Sequence, residues 1–533
     1  MVTPALHEVV QLARQYNLIP VSRDILADTE TPIRIFSRIC DRPYAFLLES
    51  VEGGMQWARY SFIGTDPFLT IRGKKGSMEI REGGERTVLR EKPVETLRHL
   101  LSRYSSPQIE GLPRFTGGAV GFFGYDLLQY YEKLPPHRVD DLQMDDIHFM
   151  FCDTVIVFDH FKQQIKIIAN VHVPPQASVR QIEEAYAETC ARIDRIAALL
   201  EHPPASRAAA GHVRFVNDAE PGELKSNMTK EQYMAMVERA REYIRAGDIF
   251  QVVLSQRFET ESRASPLDVY RVLRTMNPSP YMYYLKLDEE VIVGTSPELL
   301  VRVEGDTVRT RPIAGTRPRG RTPEEDLVLE KELLMDQKEL AEHLMLVDLG
   351  RNDLGRVSEY GSVRCDSYME IERYSHVMHI VSNVSGKLQK GKDFFDAFLS
   401  CLPAGTVSGA PKLRAMEIIA ELENEARGAY AGAIGYLGFS GNLDSCITIR
   451  TIIFRNGKAY VQAGAGIVYD SEPEKEYLET LNKAKAMLKS IAAAEAMFAA
   501  ETAERSEKRE EAIEATAKVS AIANQDYDFK EAQ

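Results

Sequence analysis

Apolar and polar positions alternate with a period near two at several places in the first 200 residues. DTVIVFDH (153–160) and KIIANVHV (166–173) are rich in branched and aromatic residues, and this pattern predicts strands. VRQIEEAYAETCARIDRIAALL (179–200) then changes to helical spacing. Both periods vanish across EHPPASRAAAGHVRFVNDAEPGELKSNM (201–228), where Pro, Ala and Gly accumulate, so this stretch reads as a linker. A helix is expected to open at Thr229, with Gln232 three residues on completing a capping box. Its apolar stripe is Tyr233, Val237, Ala240 and Ile244, and Gly247 ends it. DIFQVVLSQRF (248–258) follows as a strand. Further on, 324–350 reads as one long helix and SEPEKEYLETLNKAKAML (471–488) as another. The pattern divides the chain into a first body (1–200), the linker (201–228), a second body (229–490) and a charged tail, helical or disordered (491–533).

Composition narrows the classes without choosing among them. The 533 residues are 44 % hydrophobic and 27 % charged, a globular balance. No apolar run is long enough to span a bilayer, and the start, MVTPALHEVVQLARQYN, lacks the pattern of a secretory signal. A net charge of −14 argues against a nucleic-acid surface. Six scattered cysteines without a CxxC pair fit a reducing cytoplasm. None lies in a Gly-x-Cys-x-Gly turn, so no thiol nucleophile of the glutamine-hydrolysing kind is evident.

One pattern occurs twice. GGAVGFFGYD (117–126) and AGAIGYLGFS (431–440) share a small-Ala-x-Gly-aromatic-x-Gly-aromatic order. Glycine in a strand admits close backbone approach, and the simplest expectation is two packed sheets using the same device.

The candidate chemistry is acidic. Glu339 and Glu342 lie three apart in one predicted helix, Glu476 and Glu479 in another, so each pair shares a face. Such spacing is also ordinary helix-surface composition. The apolar run His343–Val347 after Glu342 suggests a face turned inward, where unpaired carboxylates are costly and a hard cation such as Mg²⁺ suits them. Glycine-rich CLPAGTVSGAPK (401–412) and VQAGAGIVYD (461–470) could cradle an oxyanion, yet neither fits a nucleotide phosphate loop. Arg450 lies in an apolar segment and needs an anion, either from a structural ion pair or from a substrate.

These segments carry a resemblance. PIAGTRPRG (312–320), KELAEHLMLVDLGRNDLGRV (338–357), YSHVMHIVSNVSG (374–386), CLPAGTVSGAPK, AGAIGYLGFSG and AGAGIVYDSEPEKEYLET occur in the order found in the chorismate-utilising enzymes, over nearly all of 229–490. The resemblance implies an α+β fold of large antiparallel sheets flanked by helices. It implies Glu342 and Glu479 as Mg²⁺ ligands with Glu339 and Glu476 beside them. Tyr430 and Arg450 match the grip on the enolpyruvyl carboxylate of chorismate; Thr406, Gly464, Gly466 and Lys483 match the lining around the ring. Glu298 matches the acid for the departing 4-hydroxyl, and His379 the histidine linked to pyruvate loss. His376, an odd number of residues away, is expected on the opposite side of that strand.

Members of this family differ in nucleophile. Those that add water are expected to carry a lysine base where this chain has Gln251; those that form a covalent adduct carry a lysine where it has Ala314. The resemblance therefore implies direct attack by ammonia at C2, with loss of pyruvate, the chemistry of the anthranilate-forming branch. The alternatives are an aminodeoxychorismate-forming enzyme and a non-catalytic tryptophan sensor. With no glutamine-hydrolysing cysteine, ammonia is expected from solution or from a separate glutamine amidotransferase subunit, with glutamine-dependent activity only when that partner is present. LLES (47–50) and NPSPYMYY (277–284) resemble the two segments of the branch's tryptophan feedback site. Glu49 and Ser50 would meet the amino-acid end and Pro280, Tyr281 and Met282 the indole, with Arg59 near the carboxylate.

Overall fold

A computed structural model describes residues 2–50, 59–201, 224–374 and 377–498. Most of the linker, most of the tail and His376 lie outside the described residues. Two twelve-stranded sheets dominate what is described, with antiparallel pairing in every ladder that positions the site. The α+β expectation holds.

The division into two successive bodies is not a division of the sheets. In the first sheet, Tyr44–Glu49 pairs with Tyr281–Leu287, placing Met282 opposite Glu49. In the second, Gly118–Phe123 pairs with Ala433–Gly438. Each sheet thus runs without interruption from the early part of the chain into the late part. The reason is that a sheet edge leaves N–H and C=O groups unpaired, and each half of the chain covers the other's edges.

The repeated glycine pattern accounts for one of these joints. Its two copies are neighbours in a single sheet, in register, with Gly121 opposite Gly435. This corrects the expectation of two packed sheets. A Cβ on Gly121 would lie 2.0 Å from the His148 carbonyl oxygen, and one on Gly435 2.1 Å from that of Asp444. Only glycine permits so close an approach of the adjoining strands.

Side chains such as Phe46, Val157 and Leu285 of the first sheet and Phe122, Met150 and Ile434 of the second fill the space between the sheets. The outer face of the first sheet is covered by the helices Val179–Glu201, Pro266–Met276 and Pro473–Met497. Each fully buried aromatic or aliphatic side chain contributes about 1.5–3 kcal/mol.

Two helix expectations need correction. The predicted helix over 324–350 is broken into Pro323–Met335 and Gln337–Gly355. Asp336 stands between them in extended conformation, and its carboxylate accepts from the amides of Lys338 and Glu339 as an N-cap. The last helix runs past residue 490 to Met497, because Ile491, Ala493 and Ala494 continue its buried stripe. The Thr229 capping box forms as expected, with Gln232 returning to the Thr229 amide. The following strand spans Gln251–Glu261. Among the described residues no helix is long and apolar enough to cross a membrane.

Candidate functional site

A cavity of about 440 Å³ opens at one end of the first sheet. Its walls are the helix Gln337–Gly355, the helix Pro473–Met497, the strands Gln251–Glu261 and Lys458–Ile467, and the short turn Gly405–Val407. Glu339 and Glu342 face it from the first helix, Glu476 and Glu479 from the second. The two acidic faces, far apart in sequence, therefore meet across one space. His343, Leu346 and Val347 after Glu342 are buried, as the apolar run suggested, while Glu342 itself, like Glu479, remains accessible to the cavity's solvent.

The carboxylates act on one another. Crowding by protein atoms, then the charge of Glu339 and more weakly that of Glu479, raises the Glu342 pKa. Burial and, less strongly, Glu479 do the same to Glu476. Arg317 steadies one wall: its guanidinium meets Asp336 at 2.7 Å and Glu339 at 3.6 Å. Among the described residues no three acidic, histidine or cysteine side chains close around an ion by themselves. The donor set is nonetheless all oxygen, anionic and mutually repelling, which fits a hard divalent cation that retains some of its waters.

Beside the helix that carries Glu476 and Glu479 lies a cationic corner. Arg450 adopts φ +52°, and Ala431, next to Tyr430, adopts φ +64°. Left-handed backbone at non-glycine residues costs of order 1–3 kcal/mol and persists where the surrounding structure enforces it. The Arg450 guanidinium donates to the Lys483 carbonyl at 2.8 Å. Among the described residues no carboxylate comes within ion-pair distance of it, since Glu479 is engaged by Lys483 at 2.7 Å. Burial pushes the Arg450 pKa down. No structural ion pair among the described residues accounts for this arginine, so its charge is open to an anion. Tyr430 lines the same corner.

The floor is glycine. A Cβ at Gly464 would lie 2.9 Å from the Tyr430 hydroxyl, and one at Gly466 2.6 Å from the Gln251 amide nitrogen. Side chains there would close the space. Lys483 donates to the Gly464 carbonyl at 3.0 Å, so its ammonium is tied to both floor and acidic wall. Burial drives the Glu298 carboxyl up to about 8, against smaller opposing effects of the Thr406 hydroxyl and Lys483. It is mostly protonated at neutral pH and able to donate a proton.

The sequence expectations Glu298, Thr406, Tyr430, Arg450, Gly464, Gly466 and Lys483 all line this cavity, as do Gln251 and Ala314. His379 does not line it. Its Nδ1 lies 2.9 Å from the Gly315 carbonyl, an acceptor only, so Nδ1 carries the proton and Nε2 is left as a base. Gly315 and Thr316 stand between this ring and the open space, and Thr316 also contacts Nδ1 at 3.1 Å. Lys338 and Gln462 were missed; both adjoin motif residues that were named, so proximity in sequence was the available signal.

A second cavity, of about 390 Å³, lies between the two sheets. Glu49, Ser50, Pro280, Tyr281 and Met282 all line it, together with Arg59, and so do the missed residues Phe62, Arg302, Tyr436 and Asp444. Glu49 accepts from the Tyr270 hydroxyl at 2.6 Å and from Arg274 at 3.1 Å, and burial raises its pKa. The buried Ser50 hydroxyl has no hydrogen-bond partner among the described residues. Arg302 pairs with Asp444 at 2.6 Å, and the Tyr281 hydroxyl donates to Asp444 at 3.0 Å. Arg302 was detectable as the one basic residue in the otherwise mostly apolar strand Leu299–Glu304.

The family model described as chorismate binding enzyme matches residues 45–489. The chain belongs to the chorismate-binding enzyme family. It is 54 % identical over 492 residues to "Anthranilate synthase component 1" of Acetivibrio thermocellus, covering 92 % of this chain and 99 % of that one. Identity to the protein of the same name from Aquifex aeolicus is 48 %, over 92 % and 98 % of the two chains. The crystal structure of anthranilate synthase component I from Streptococcus pneumoniae superposes with a TM-score of 0.70 at 40 % identity, over 87 % of this chain and 99 % of that one. The isochorismate synthase MenF of Escherichia coli shares the fold, with a TM-score of 0.63 at 18 % identity over 92 % and 99 %. This membership makes the chain an enzyme of the chorismate-utilising family, similar along nearly its whole length to the anthranilate synthase component 1 proteins.

Proposed function

We propose that the chain converts chorismate and ammonia to anthranilate and pyruvate through 2-amino-2-deoxyisochorismate. One observation carries the reading: a half-buried arginine without a carboxylate partner among the described residues, a Glu298 carboxyl whose pKa burial raises and four helix carboxylates face a single cavity. Chorismate brings the complementary features, two carboxylates and a hydroxyl that leaves only when protonated.

Arg450 and Tyr430 take the enolpyruvyl carboxylate, the guanidinium by a charge-assisted hydrogen bond. Glu342 and Glu479, with Glu339 and Glu476 beside them, would hold Mg²⁺, which supplies Lewis-acid polarisation of the ring carboxylate. Lys483 and Thr406 fix the ring between the glycine floor and Glu298. Glu298 gives its proton to the 4-hydroxyl as ammonia adds at C2. Gln251 and Ala314 offer neither a basic lysine for water nor an amine nucleophile, so ammonia attacks directly. His379, held against the wall residues Gly315 and Thr316 just outside the cavity lining, assists pyruvate loss as the C2 proton is removed.

The sheet-to-sheet cavity is assigned to tryptophan as a feedback inhibitor, its indole against Pro280, Tyr281 and Met282 and its amino-acid end toward Glu49 and Ser50. Ammonia is supplied by a separate glutamine-hydrolysing subunit, and the setting is the cytoplasm.

The test is an assay of the purified chain with chorismate, Mg²⁺ and ammonium, with and without tryptophan. Anthranilate fluorescence with equimolar pyruvate is expected, abolished by EDTA and depressed by tryptophan. A 4-amino product that retains its enolpyruvyl group, seen by mass spectrometry, would reassign the reaction. Replacing His379 by Ala should let the amino intermediate accumulate while anthranilate falls.

A further inference from the structure

Behind the substrate cavity lies an ion pair that does not line it. Arg427 is fully buried and Glu423 nearly so. The guanidinium donates through Nε to Glu423 Oε2 at 2.8 Å and through Nη2 to Oε1 at 2.7 Å. Its other donors go to backbone: Nη1 to the Val407 carbonyl at 2.7 Å, Nη2 to the Val253 carbonyl at 2.8 Å. The same carboxylate accepts from the Ser255 amide at 2.7 Å and the Ser255 hydroxyl at 3.0 Å. That hydroxyl in turn accepts from the Gln462 amide nitrogen at 2.9 Å. The guanidinium carbon stands 4.5 Å from the Tyr125 ring centroid and 5.6 Å from that of Tyr430.

A buried ion pair contributes little net stability, because desolvation of both charges offsets their attraction. Its geometry here suggests another use. Val253, Val407, Tyr430 and Gln462 come from separate segments, and each of them lines the substrate cavity. All are tied to one rigid fork or to the carboxylate that holds it. Val407 also adjoins Thr406, the neighbour of Glu298.

We propose that Arg427, clamped by Glu423, is a positioning residue for the reaction, fixing the back wall of the cavity and the ring of Tyr430 without touching substrate. The inference rests on the chorismate reading above. Lysine cannot replace it: one ammonium cannot hold two backbone carbonyls and a bidentate carboxylate in a plane. The groups that Arg427 aligns grip chorismate in ground state and transition state alike, so loosening them raises KM more than it lowers kcat.

The experiment compares wild type, R427K and the double variant E423Q/R427M under saturating ammonium and Mg²⁺, with chorismate varied and folding followed by circular dichroism and thermal melting. The double variant guards against loss of fold. It leaves no unpaired buried charge, and the amide oxygen that replaces the Glu423 carboxylate can still accept from Ser255. The expected result is a KM for chorismate raised about tenfold or more in both variants, kcat lowered less, and native circular dichroism. Folded variants with wild-type KM and kcat would overturn the proposal. So would activity that falls only in step with the folded fraction while KM stays constant. A wild-type chain inert toward chorismate would overturn the chorismate reading and this one together, whereas an active wild type with unaltered variants overturns this one alone.

Discussion

The two cavities are similar in volume, about 440 and 390 Å³, and opposite in construction. The substrate cavity is walled by helix faces, a short turn and the strands Gln251–Glu261, Lys458–Ile467 and Ile313–Pro318, and its charges are only partly balanced: Lys483 meets Glu479 and Arg317 meets Glu339, while Glu342, Glu476 and Arg450 have no ion-pair partner among the described residues. The cavity between the sheets is walled by strands, and its charges are already matched, Arg302 with Asp444, Arg274 with Glu49 and Arg59 with Asp159. Unmatched charge at a solvent-open site attracts ions and anionic substrate. Matched charge in a largely apolar site leaves shape and a few hydrogen bonds to select the ligand. Under the proposed function, the contrast is that between a site for chemistry and one for recognition.

The strongest attempt to break this contrast removes an acidic wall. Glu479→Ala should lower chorismate turnover by about a thousandfold or more, because it takes away a proposed metal ligand and frees Lys483. Tryptophan binding, followed by calorimetry, should be unchanged. A variant retaining near-native turnover would remove the carboxylates from the mechanism.

Arg450→Met comes next. Losing a half-buried cation from the proposed charge-assisted hydrogen bond to substrate should lower kcat/KM by about a hundredfold, roughly 2.7 kcal/mol. Steady-state kinetics with chorismate varied would measure it.

Glu298 sharpens the comparison through pH. Its carboxyl is raised to about 8 by burial, and the protonated form is the proposed proton donor. Turnover should therefore be sustained below that value and fall as pH rises through it. Glu298→Gln should lower kcat by about a hundredfold and erase that alkaline limb, since the amide does not titrate. A pH–rate profile identical to wild type would remove Glu298 as the acid.

The smallest effect belongs to the other cavity. Ser50→Ala removes a buried hydroxyl that has no hydrogen-bond partner among the described residues and is proposed to meet tryptophan, so the tryptophan concentration giving half inhibition should rise about fivefold, close to 1 kcal/mol. Uninhibited turnover should not change. A fall in turnover instead would mean that the two cavities are not separable.

Much of the site was legible in the chain. The ExxE spacing of Glu339 with Glu342 and of Glu476 with Glu479 encodes a shared helix face, and local periodicity reads that directly. Glu49 with Ser50 and Pro280 with Met282 also met as expected, through the pairing of Met282 opposite Glu49. Illegible were the break at Asp336, a local cap that interrupts an otherwise continuous helical pattern, and the position of His379 behind Gly315 and Thr316. Arg427 was invisible for a related reason. Its partners Val253, Val407 and Ser255 are distant in sequence, and two of its contacts are backbone carbonyls that no residue type announces.

By itself, then, the sequence determined most of the elements, the acidic faces and the family, because periodicity, capping and motif order are properties of neighbouring residues. Only the tertiary structure decided that both sheets cross the apparent boundary between bodies, that the glycine repeats abut in one sheet, and that Arg450 is left without a carboxylate among the described residues. Those outcomes depend on which strand edges find each other and which charges are already engaged, and both are settled only when the whole chain packs at once.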